Sequence, residues 1–421
     1  MLARKRKIEH GLTIYLDGKP MQAEQGEPLA IALLAEGVRT LARSPKLHRP
    51  RGPWCLRGGC DGCLARVDGL PDQMTCLLAA KGGEHIETQN VVGSREADLL
   101  RVTDWFFPKG FDHHHFMAGV PGLSDSMLNF ARKLGGLGRL PADVKAPAPV
   151  ERIEMDVLVV GMGPSGRVAA STLAEGGVSV WAVDDAIEPG GTVLALAPSD
   201  RARVLAHPTH NAHALWQTTA AGVYEREVLV VSHDKTRIMV PRVIVFATGA
   251  HDVPLSIPGN DLPGVMAARA VCRLWEHGVR PTGPVVVVGS GYWAERLTKV
   301  LGGNLAVHAS VDDVLEIYGT SRVKHVSVNG AVRRVKYDAD IVAVGAGGAA
   351  VFELAAQAGA DVHFDAAKGY VIACDEHGRA GDYLWAVGEC AGRAFDLDAL
   401  IDAGARVARN VMGLLRGSRL A

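Results

Sequence analysis

Four cysteines between residues 55 and 76 constrain this chain more than any other feature of its sequence. The 421-residue chain has only seven cysteines. The four clustered ones have four, two and twelve residues between successive members: Cys55, Cys60, Cys63 and Cys76. Glycines are interleaved with them in "WCLRGGCDGCLARV", and glycine permits a tight loop whose amides approach a buried group because it has no Cβ. The segment is therefore a candidate site for a metal or a redox group.

The intervals between these cysteines match the loop of plant-type 2Fe-2S ferredoxins, in which a fourth, remote thiolate completes the cluster site. Zinc ligands more often come as two close pairs, and a zinc site remains the alternative at this point. Upstream, "LTIYLDGKPMQAE" predicts a β-hairpin that turns at Asp17-Gly18, and a helix follows from about Pro28. A hairpin followed by a helix is how a ferredoxin-like β-grasp domain begins.

Charge and hydropathy narrow the class of protein. The chain has 45 basic and 46 acidic residues, and this balance argues against nucleic acid as its main partner. The start, "MLARKRKIEH", is basic, but no apolar run follows it, so we predict neither a secretory signal nor a transmembrane segment. We therefore expect a cytoplasmic protein. Clustered cysteines in a reducing compartment are more often metal ligands or redox groups than disulfides.

A glycine fingerprint follows the apolar run "MDVLVV". It begins with Gly161 and is followed by a predicted helix and a second strand. An acidic residue, Asp184, lies 23 residues after Gly161, with Asp185 as the alternative if the strand ends one residue later. A strand, a glycine turn, a helix and a second strand that ends at an acidic residue are together typical of dinucleotide binding. In such sites the acidic side chain binds the hydroxyls of the adenosine ribose. The predicted contacts within the turn are Gly161, Gly163, Pro164, Ser165 and Gly166.

Later segments complete the pattern of a flavoprotein with two dinucleotide folds. "EPGGTV" follows the second strand, "VIVFATGAHD" supplies a strand that ends at a threonine and a glycine, and "GYVIACDEHGRAGDYLWAVGECAG" returns the chain to the first nucleotide domain. In the last of these, a glutamate occupies the position where flavoproteins usually carry an aspartate beside the ribityl chain. The predicted cofactor contacts in these segments are Gly190, Gly191, Thr248, Gly249, Gly388 and Glu389.

A second glycine turn lies in "GPVVVVGSGYWAERL", with Gly289 and Gly291 as its candidate nucleotide contacts. The strand after it, "NLAVHAS", ends without an acid, and Asp312 and Asp313 come late for a ribose contact. Two interpretations remain open: a working nicotinamide site, or a Rossmann-like unit with a purely structural role.

Together these motifs predict an α/β fold. We expect two Rossmann-like dinucleotide-binding domains of the pyridine nucleotide-disulfide oxidoreductase type, preceded by a β-grasp 2Fe-2S ferredoxin-like domain. The predicted divisions are the cluster domain (1–98), a helical connector and linker (99–150), the two parts of an FAD-binding domain (151–255 and 352–421), and an inserted NAD-binding-like domain (256–351).

Three stretches carry a family resemblance: "KLHRPRG", "GVYEREVLVV" and "ATGAHDVPLSIPGNDLPGVM". They resemble the α subunit of heterotetrameric sarcosine oxidase and its relatives, which are hydrogen cyanide synthase, the opine oxidases and D-hydroxyproline dehydrogenase. In that family a small 2Fe-2S protein and a flavin or nucleotide subunit serve a separate amine-oxidising flavoprotein. Here both parts are fused in one polypeptide.

The resemblance implies an electron-transfer subunit of an amine or imino-acid dehydrogenase, with a 2Fe-2S cluster, FAD and a candidate NAD as cofactors. It implies a hetero-oligomer with a flavoprotein of the glycine or D-amino-acid oxidase type. Two alternatives remain open: a self-contained NAD(P)H-dependent FAD/2Fe-2S reductase, and a non-catalytic scaffold that holds a nucleotide. No catalytic residue is identified, since the cofactors carry the chemistry. Arg49 and Arg51 are candidates to neutralise the cluster or a cofactor phosphate.

Overall fold

The computed structural model describes residues 2–44, 47–102, 149–330 and 332–417, so most of the predicted connector, 99–150, lies outside the described residues. In residues 2–102 the chain forms short strands, the helix α1 (Leu29–Ala35) and a 3-10 turn at Leu99–Arg101. The strands are β1 (Leu2–Arg4), β2 (Gly11–Leu16), β3 (Lys19–Glu24), β4 (Ala42–Arg43), β5 (Pro50–Arg51), β6 (Leu64–Val67), β7 (Leu70–Met74) and β8 (His85–Glu87).

These N-terminal strands form a five-stranded sheet in the order β3-β2-β8-β6-β7, in which β2 and β8 run parallel. The hairpin β2–β3 turns at Asp17 and Gly18, both of which have positive φ, as the tight two-residue turn requires. Helix α1 buries nearly all of its residues against the sheet. The cluster loop, residues 54–63, connects β5 to β6, and Cys76 follows β7.

The segment 149–252 forms most of a second, larger sheet, together with helices α2 (Pro164–Glu175) and α3 (Pro198–Leu205). The strands of this segment are β9 (Val150–Val160), β10 (Val180–Val183), β11 (His213–Leu215), β12 (Thr218–Tyr224), β13 (Glu227–Ser232), β14 (Thr236–Phe246) and β15 (Ala250–Asp252). All of them except β15 belong to the larger sheet. The sheet order is β11-β10-β9-β14-β13-β12, and β9, β10, β11 and β14 are parallel. Apolar cores on both faces of this sheet explain the unbroken apolar run that ends β9.

The segment 265–345 forms a separate parallel sheet and two helices, α4 (Ala268–Glu276) and α5 (Tyr292–Leu301). Its strands are β16 (Val265–Ala267), β17 (Val279–Pro281), β18 (Val285–Gly289), β19 (Leu305–Ala309), β20 (Val314–Gly319), β21 (Val323–Asn329), β22 (Arg334–Asp338) and β23 (Ile341–Gly345). The parallel sheet has the order β16-β23-β18-β19, and β20, β21 and β22 form an antiparallel sheet.

The C-terminal segment returns the chain to the larger sheet. It contains β24 (Gly348–Ala350), α6 (Glu353–Gln357), β25 (Val362–Asp365), β26 (Gly369–Ile372), β27 (Leu384–Ala386) and α7 (Leu397–Gly417). Strand β27 pairs in parallel with β14, and β24 pairs with β15 where the chain crosses between the two nucleotide folds. Helix α7 packs along α2. None of the helices in the described part of the chain has the length and apolar character needed to cross a membrane.

The N-terminal domain packs directly against the segment 265–345. Strand β1 pairs with β17, and residues of α1 share one continuous apolar core with residues of α4 and β18. This packing brings the cluster loop against helix α4 and against the carboxyl ends of the larger sheet.

Candidate functional site

The four clustered cysteines converge in two pairs. The Sγ atoms of Cys55 and Cys60 lie 3.3 Å apart, and the neighbouring side chain of Cys63 raises the pKa of Cys76. Cys55, Cys63 and Cys76 are buried, whereas Cys60 is partly exposed. The long interval before Cys76 is spanned by the hairpin β6–β7, which carries the chain away and back to the loop.

Backbone amides of the loop point at the sulfur atoms. Gly58 N–H donates to Cys76 Sγ at 3.2 Å, and Gly59 N–H donates to Cys55 Sγ at 3.2 Å. The hydrogen bond from Cys55 lowers the pKa of Cys60 and raises that of Cys55. A loop that already directs amides at sulfur is suited to a ligand set of negative thiolates.

The pairwise geometry fits a two-iron cluster better than a single ion. A 2Fe-2S cluster takes two thiolates on each iron, while a zinc ion takes four ligands around one centre. The donor set and its pairing therefore fit the 2Fe-2S cluster that the spacing predicts.

The first glycine fingerprint lies at the carboxyl end of β9. Gly161 has a positive φ of 97°, and a Cβ there would collide with the carbonyl of Ala247. A Cβ at Gly166 would collide with the carbonyl of Gly161, so that glycine allows α2 to pack closely on the strand. At Gly163, by contrast, no atom lies within 4 Å of an added Cβ. The space beside Gly163, at the first turn of α2, is the cradle that a pyrophosphate would fill.

The two candidate acids occupy different environments. Asp184 is 7 % exposed, follows β10 directly and accepts hydrogen bonds from Met162 N–H at 2.6 Å and Ala186 N–H at 2.9 Å. Burial raises the pKa of Asp184 to about 6. Asp185 faces the cluster loop, with its Oδ2 3.4 Å from the Cβ position of Gly58. Both acids line the cleft beside Gly163.

One cleft brings together most of the residues singled out from the sequence. Those that line it are Gly161, Gly163, Pro164, Ser165, Asp184, Asp185, Gly191, Thr248, Gly249, Gly388 and Glu389. Gly166 and Gly190 lie behind the wall, where Gly190 packs beneath Trp216. Arg57, Gly58 and Gly59 of the cluster loop form part of the same wall, and a Cβ at Gly59 would lie 2.6 Å from Nδ1 of His251.

A buried ion-pair chain that sequence reasoning missed connects the cluster loop to this cleft. Arg57 Nε lies 3.1 Å from Asp252, and the other carboxylate oxygen of Asp252 lies 3.2 Å from Arg269 Nε. Arg269 donates to both carboxylate oxygens of Glu389, at 3.0 and 3.1 Å. Burial opposes ionisation of Asp252, but Arg269 and Arg57 outweigh it and hold its pKa below the usual range.

The second glycine turn opens onto a separate cleft. Gly291 lines it with Lys368 and Arg393. Arg269 also borders this second cleft, and its ion-pair partner Glu389 borders both clefts. Gly289 lies behind the turn, where a Cβ would collide with the carbonyl of Gly345. The structure thus places the two candidate nucleotide turns on either side of one ion pair.

The arginines proposed from the sequence as cluster partners differ from those the structure brings close. Arg51 forms a 2.6 Å ion pair with Asp261. Arg49 lies in the turn before β5, where its N–H donates to Ser44 Oγ. Two other arginines contact the cluster loop instead: the backbone N–H of Arg57 donates to Cys55 Sγ, and the side chain of Arg273 donates to the carbonyl of Leu56. Arg273 comes from helix α4, more than 190 residues away in sequence. No local sequence pattern could reveal a contact that the domain packing creates.

Two protein families match separate parts of the chain. The family described as "2Fe-2S iron-sulfur cluster binding domain" matches residues 9–91, and the family described as "Pyridine nucleotide-disulphide oxidoreductase" matches residues 155–309. The first match covers the paired cysteines, and the second covers both glycine turns. A 2Fe-2S cluster and FAD are therefore the cofactors of the chain.

Several proteins of known identity are similar to this chain over the same regions. Sarcosine oxidase subunit alpha of Rhizobium meliloti is 31 % identical over 304 residues, which is 64 % of this chain and 31 % of that protein. The chain thus spans about a third of the length of that relative. Hydrogen cyanide synthase subunit HcnA of Pseudomonas aeruginosa is 35 % identical over 79 residues, which is 19 % of this chain and 75 % of that protein.

The same arrangement of folds occurs in a solved structure. L-proline dehydrogenase from P. horikoshii superposes with a TM-score of 0.71 and 22 % identity, covering 98 % of this chain and 75 % of that chain. This likeness establishes the fold, and the sequence matches establish the lineage. The chain is an oxidoreductase, and it belongs to the family that includes sarcosine oxidase subunit alpha and hydrogen cyanide synthase subunit HcnA.

Proposed function

We propose that this chain is the electron-transfer subunit of a multi-subunit amine or imino-acid dehydrogenase or oxidase, of the sarcosine, glycine, proline or hydroxyproline type. In this proposal the substrate is oxidised on a partner flavoprotein of the glycine or D-amino-acid oxidase type, and this chain takes up the electrons. Relatives that are named as subunits of sarcosine oxidase and hydrogen cyanide synthase support a multi-subunit assembly.

The observation that carries the proposal is the shared wall between the cluster loop and the first dinucleotide cleft. Arg57, Gly58 and Gly59 line this cleft, and the amides of Gly58 and Gly59 donate to cysteine sulfurs. When bound, the flavin supplies two-electron exchange and the cluster one-electron exchange. A loop that touches both sites is the arrangement that a chain passing electrons between them needs.

The chain's own residues have structural roles that suit this arrangement. The amides at the start of α2 and the open space at Gly163 would hold a pyrophosphate, and Asp184 would orient a ribose. Arg269 holds Glu389 at the junction of the two clefts. The Arg57–Asp252 ion pair fixes the cluster loop against the cleft, which keeps the distance between the two sites constant.

Reconstitution of the complex tests the proposal. The full chain is expressed alone and together with the open reading frames beside its gene, and each preparation is assayed for dye reduction with sarcosine, glycine, proline and hydroxyproline. We expect dye reduction only from preparations in which a flavoprotein copurifies with this chain. Equal rates from the chain alone would contradict the proposal and place the amine pocket within these 421 residues.

The second cleft favours one other function, a self-contained NAD(P)H-dependent reductase. Gly291, Lys368 and Arg393 line this cleft. The positive charges of Lys368 and Arg393 would bind the phosphates of a nicotinamide nucleotide. Anaerobic addition of NADH or NADPH to the purified chain distinguishes the two functions. Rapid bleaching of flavin absorbance would support the reductase, and no bleaching would support the electron-transfer subunit.

A further inference from the structure

Helix α4 carries a buried arginine whose positive charge has no carboxylate partner. Arg273 is 2 % exposed, and no carboxylate lies within ion-pair distance of it among the described residues. Its Nη1 donates to the carbonyl of Leu56, while its Nε and Nη2 have no hydrogen-bond partner. A buried charge without a counter-charge is strongly unfavourable, so an anion that belongs to the site should offset it.

The cluster loop contacts this guanidinium directly, through the Leu56 carbonyl beside Cys55. Cys55, Cys63 and Cys76 interact electrostatically with Arg273, as does Asp185 across the loop without forming an ion pair with it. Burial lowers the pKa of Arg273, and the sulfurs of Cys76 and Cys55 are the main groups that oppose this effect. Leu56, whose carbonyl accepts the hydrogen bond, lies directly after Cys55 and has a positive φ of 54°. The side chain of Arg273 therefore holds the cluster loop in an unfavourable backbone conformation and places its charge beside the cluster cysteines.

The neighbouring arginine on the same helix shows what is unusual about Arg273. Arg269, one helical turn earlier, is similarly buried, but Asp252 and Glu389 neutralise it. Arg57 of the cluster loop is likewise paired with Asp252. Of these three arginines, Arg273 alone forms no ion pair with a carboxylate among the described residues.

We propose that Arg273 is the counter-charge of the iron–sulfur cluster and raises its reduction potential. Four thiolates and two sulfides give such a cluster a net negative charge, and reduction adds one more negative charge. A fixed guanidinium beside the ligands stabilises the reduced form more than the oxidised form, because net charge and hydrogen bonding set the potential of these clusters. This inference rests on the cluster and not on the substrate or partner proposed above.

The test is a potentiometric titration of the full chain, followed by EPR of the reduced cluster, with iron counted in every preparation. Arg273→Met keeps the volume and removes the charge. We expect it to shift the one-electron equilibrium toward the oxidised form by about tenfold or more, which is about 59 mV. Arg273→Lys retains the charge and should recover much of the wild-type potential. Arg51→Met is the matched control, since Arg51 is paired with Asp261, and we expect no shift.

The outcomes decide the proposal in either direction. An Arg273→Met protein that holds its iron at the wild-type potential would overturn it. If Arg273→Met is purified without iron, its potential cannot be measured, and the test then depends on Arg273→Lys. Retention of iron near the wild-type potential in Arg273→Lys supports the counter-charge. A folded but iron-free Arg273→Lys protein shows that the guanidinium only braces Leu56, and the proposal is then wrong.

Discussion

The two glycine-turn clefts are built from the same strand–turn–helix unit, yet they differ in charge and in neighbours. The first lies between β9 and α2, has Asp184 at the end of the next strand and is walled by the cluster loop. The second lies between β18 and α5. Its next strand, β19, ends at Ala309 without an acid, and Lys368 and Arg393 line the opening.

This difference separates what a glycine turn determines from what it leaves open. In both units a positive-φ glycine, Gly161 or Gly289, allows the strand to turn closely against a neighbouring carbonyl. The turn therefore specifies the fold in both places. The choice of ligand depends on residues that other segments supply, namely an acid at a strand end in the first cleft and two cations in the second.

The largest expected effect comes from filling the cradle of the first cleft. Gly163→Val adds a branched side chain where the protein itself leaves open space, so the fold should tolerate it while the pyrophosphate cannot approach. We expect the purified variant to lose its bound dinucleotide and to keep its iron, measured by chromatography of released cofactor and by iron analysis.

Gly291→Val is the matched change in the second cleft. Gly291 has a φ of 83°, so this variant also carries backbone strain, which a thermal melt will register. We expect its flavin content to equal that of the wild type. Loss of flavin from the Gly291 variant, with retention in the Gly163 variant, would reverse the assignment of the two clefts.

A smaller effect is expected at the ion-pair chain that separates the clefts. Asp252→Asn leaves Arg57 and Arg269 without their shared carboxylate in a buried position, and we expect the free energy of unfolding to fall by about 3–5 kcal/mol. Asp261→Asn breaks the partly exposed pair with Arg51 and should cost less than about 1 kcal/mol. Denaturant titrations of both variants measure the difference. Equal losses would show that the chain of buried charges is not a structural link between the clefts.

Local patterns in the sequence were sufficient to predict the fold class, which the structure and the family matches confirm. Asp17-Gly18 forms the predicted hairpin turn because both residues adopt positive φ, and the apolar run before Gly161 forms the predicted buried strand. The ion-pair chain could not be predicted in this way. Arg57, Asp252 and Arg269 come from three separate segments, and only the packing of the domains brings them together. On helix α4, Arg269 and Arg273 would ordinarily be assigned to a solvent-facing side.

The roles of individual site residues stay predictions. One of them is which acid, Asp184 or Asp185, binds the ribose of the dinucleotide. Asp184 faces the glycine turn, whereas Asp185 faces the cluster loop. If Asp184 accepts a ribose hydroxyl, Asp184→Asn should weaken dinucleotide binding at neutral pH by roughly 10- to 100-fold, the usual loss for a hydrogen bond to a charged group. Asp185→Asn, the matched control, should change binding little.

The pH dependence supplies an independent measurement on the same pair of variants. Burial raises the pKa of Asp184 to about 6, so its carboxylate is ionised above that pH and becomes protonated below it. A protonated carboxyl accepts a ribose hydroxyl less well, and the affinity of the wild type for the dinucleotide should therefore rise as the pH rises through about 6. Asp185→Asn should keep this rise but move its midpoint to lower pH, because the charge of Asp185 also raises the pKa of Asp184. Asp184→Asn should show a flat profile over the same interval. Fluorescence titrations of the cofactor-free proteins between about pH 5 and 8 test this, the range in which a group with such a pKa changes charge. A flat profile in the Asp185 variant, with the rise retained in the Asp184 variant, would assign the ribose contact to Asp185.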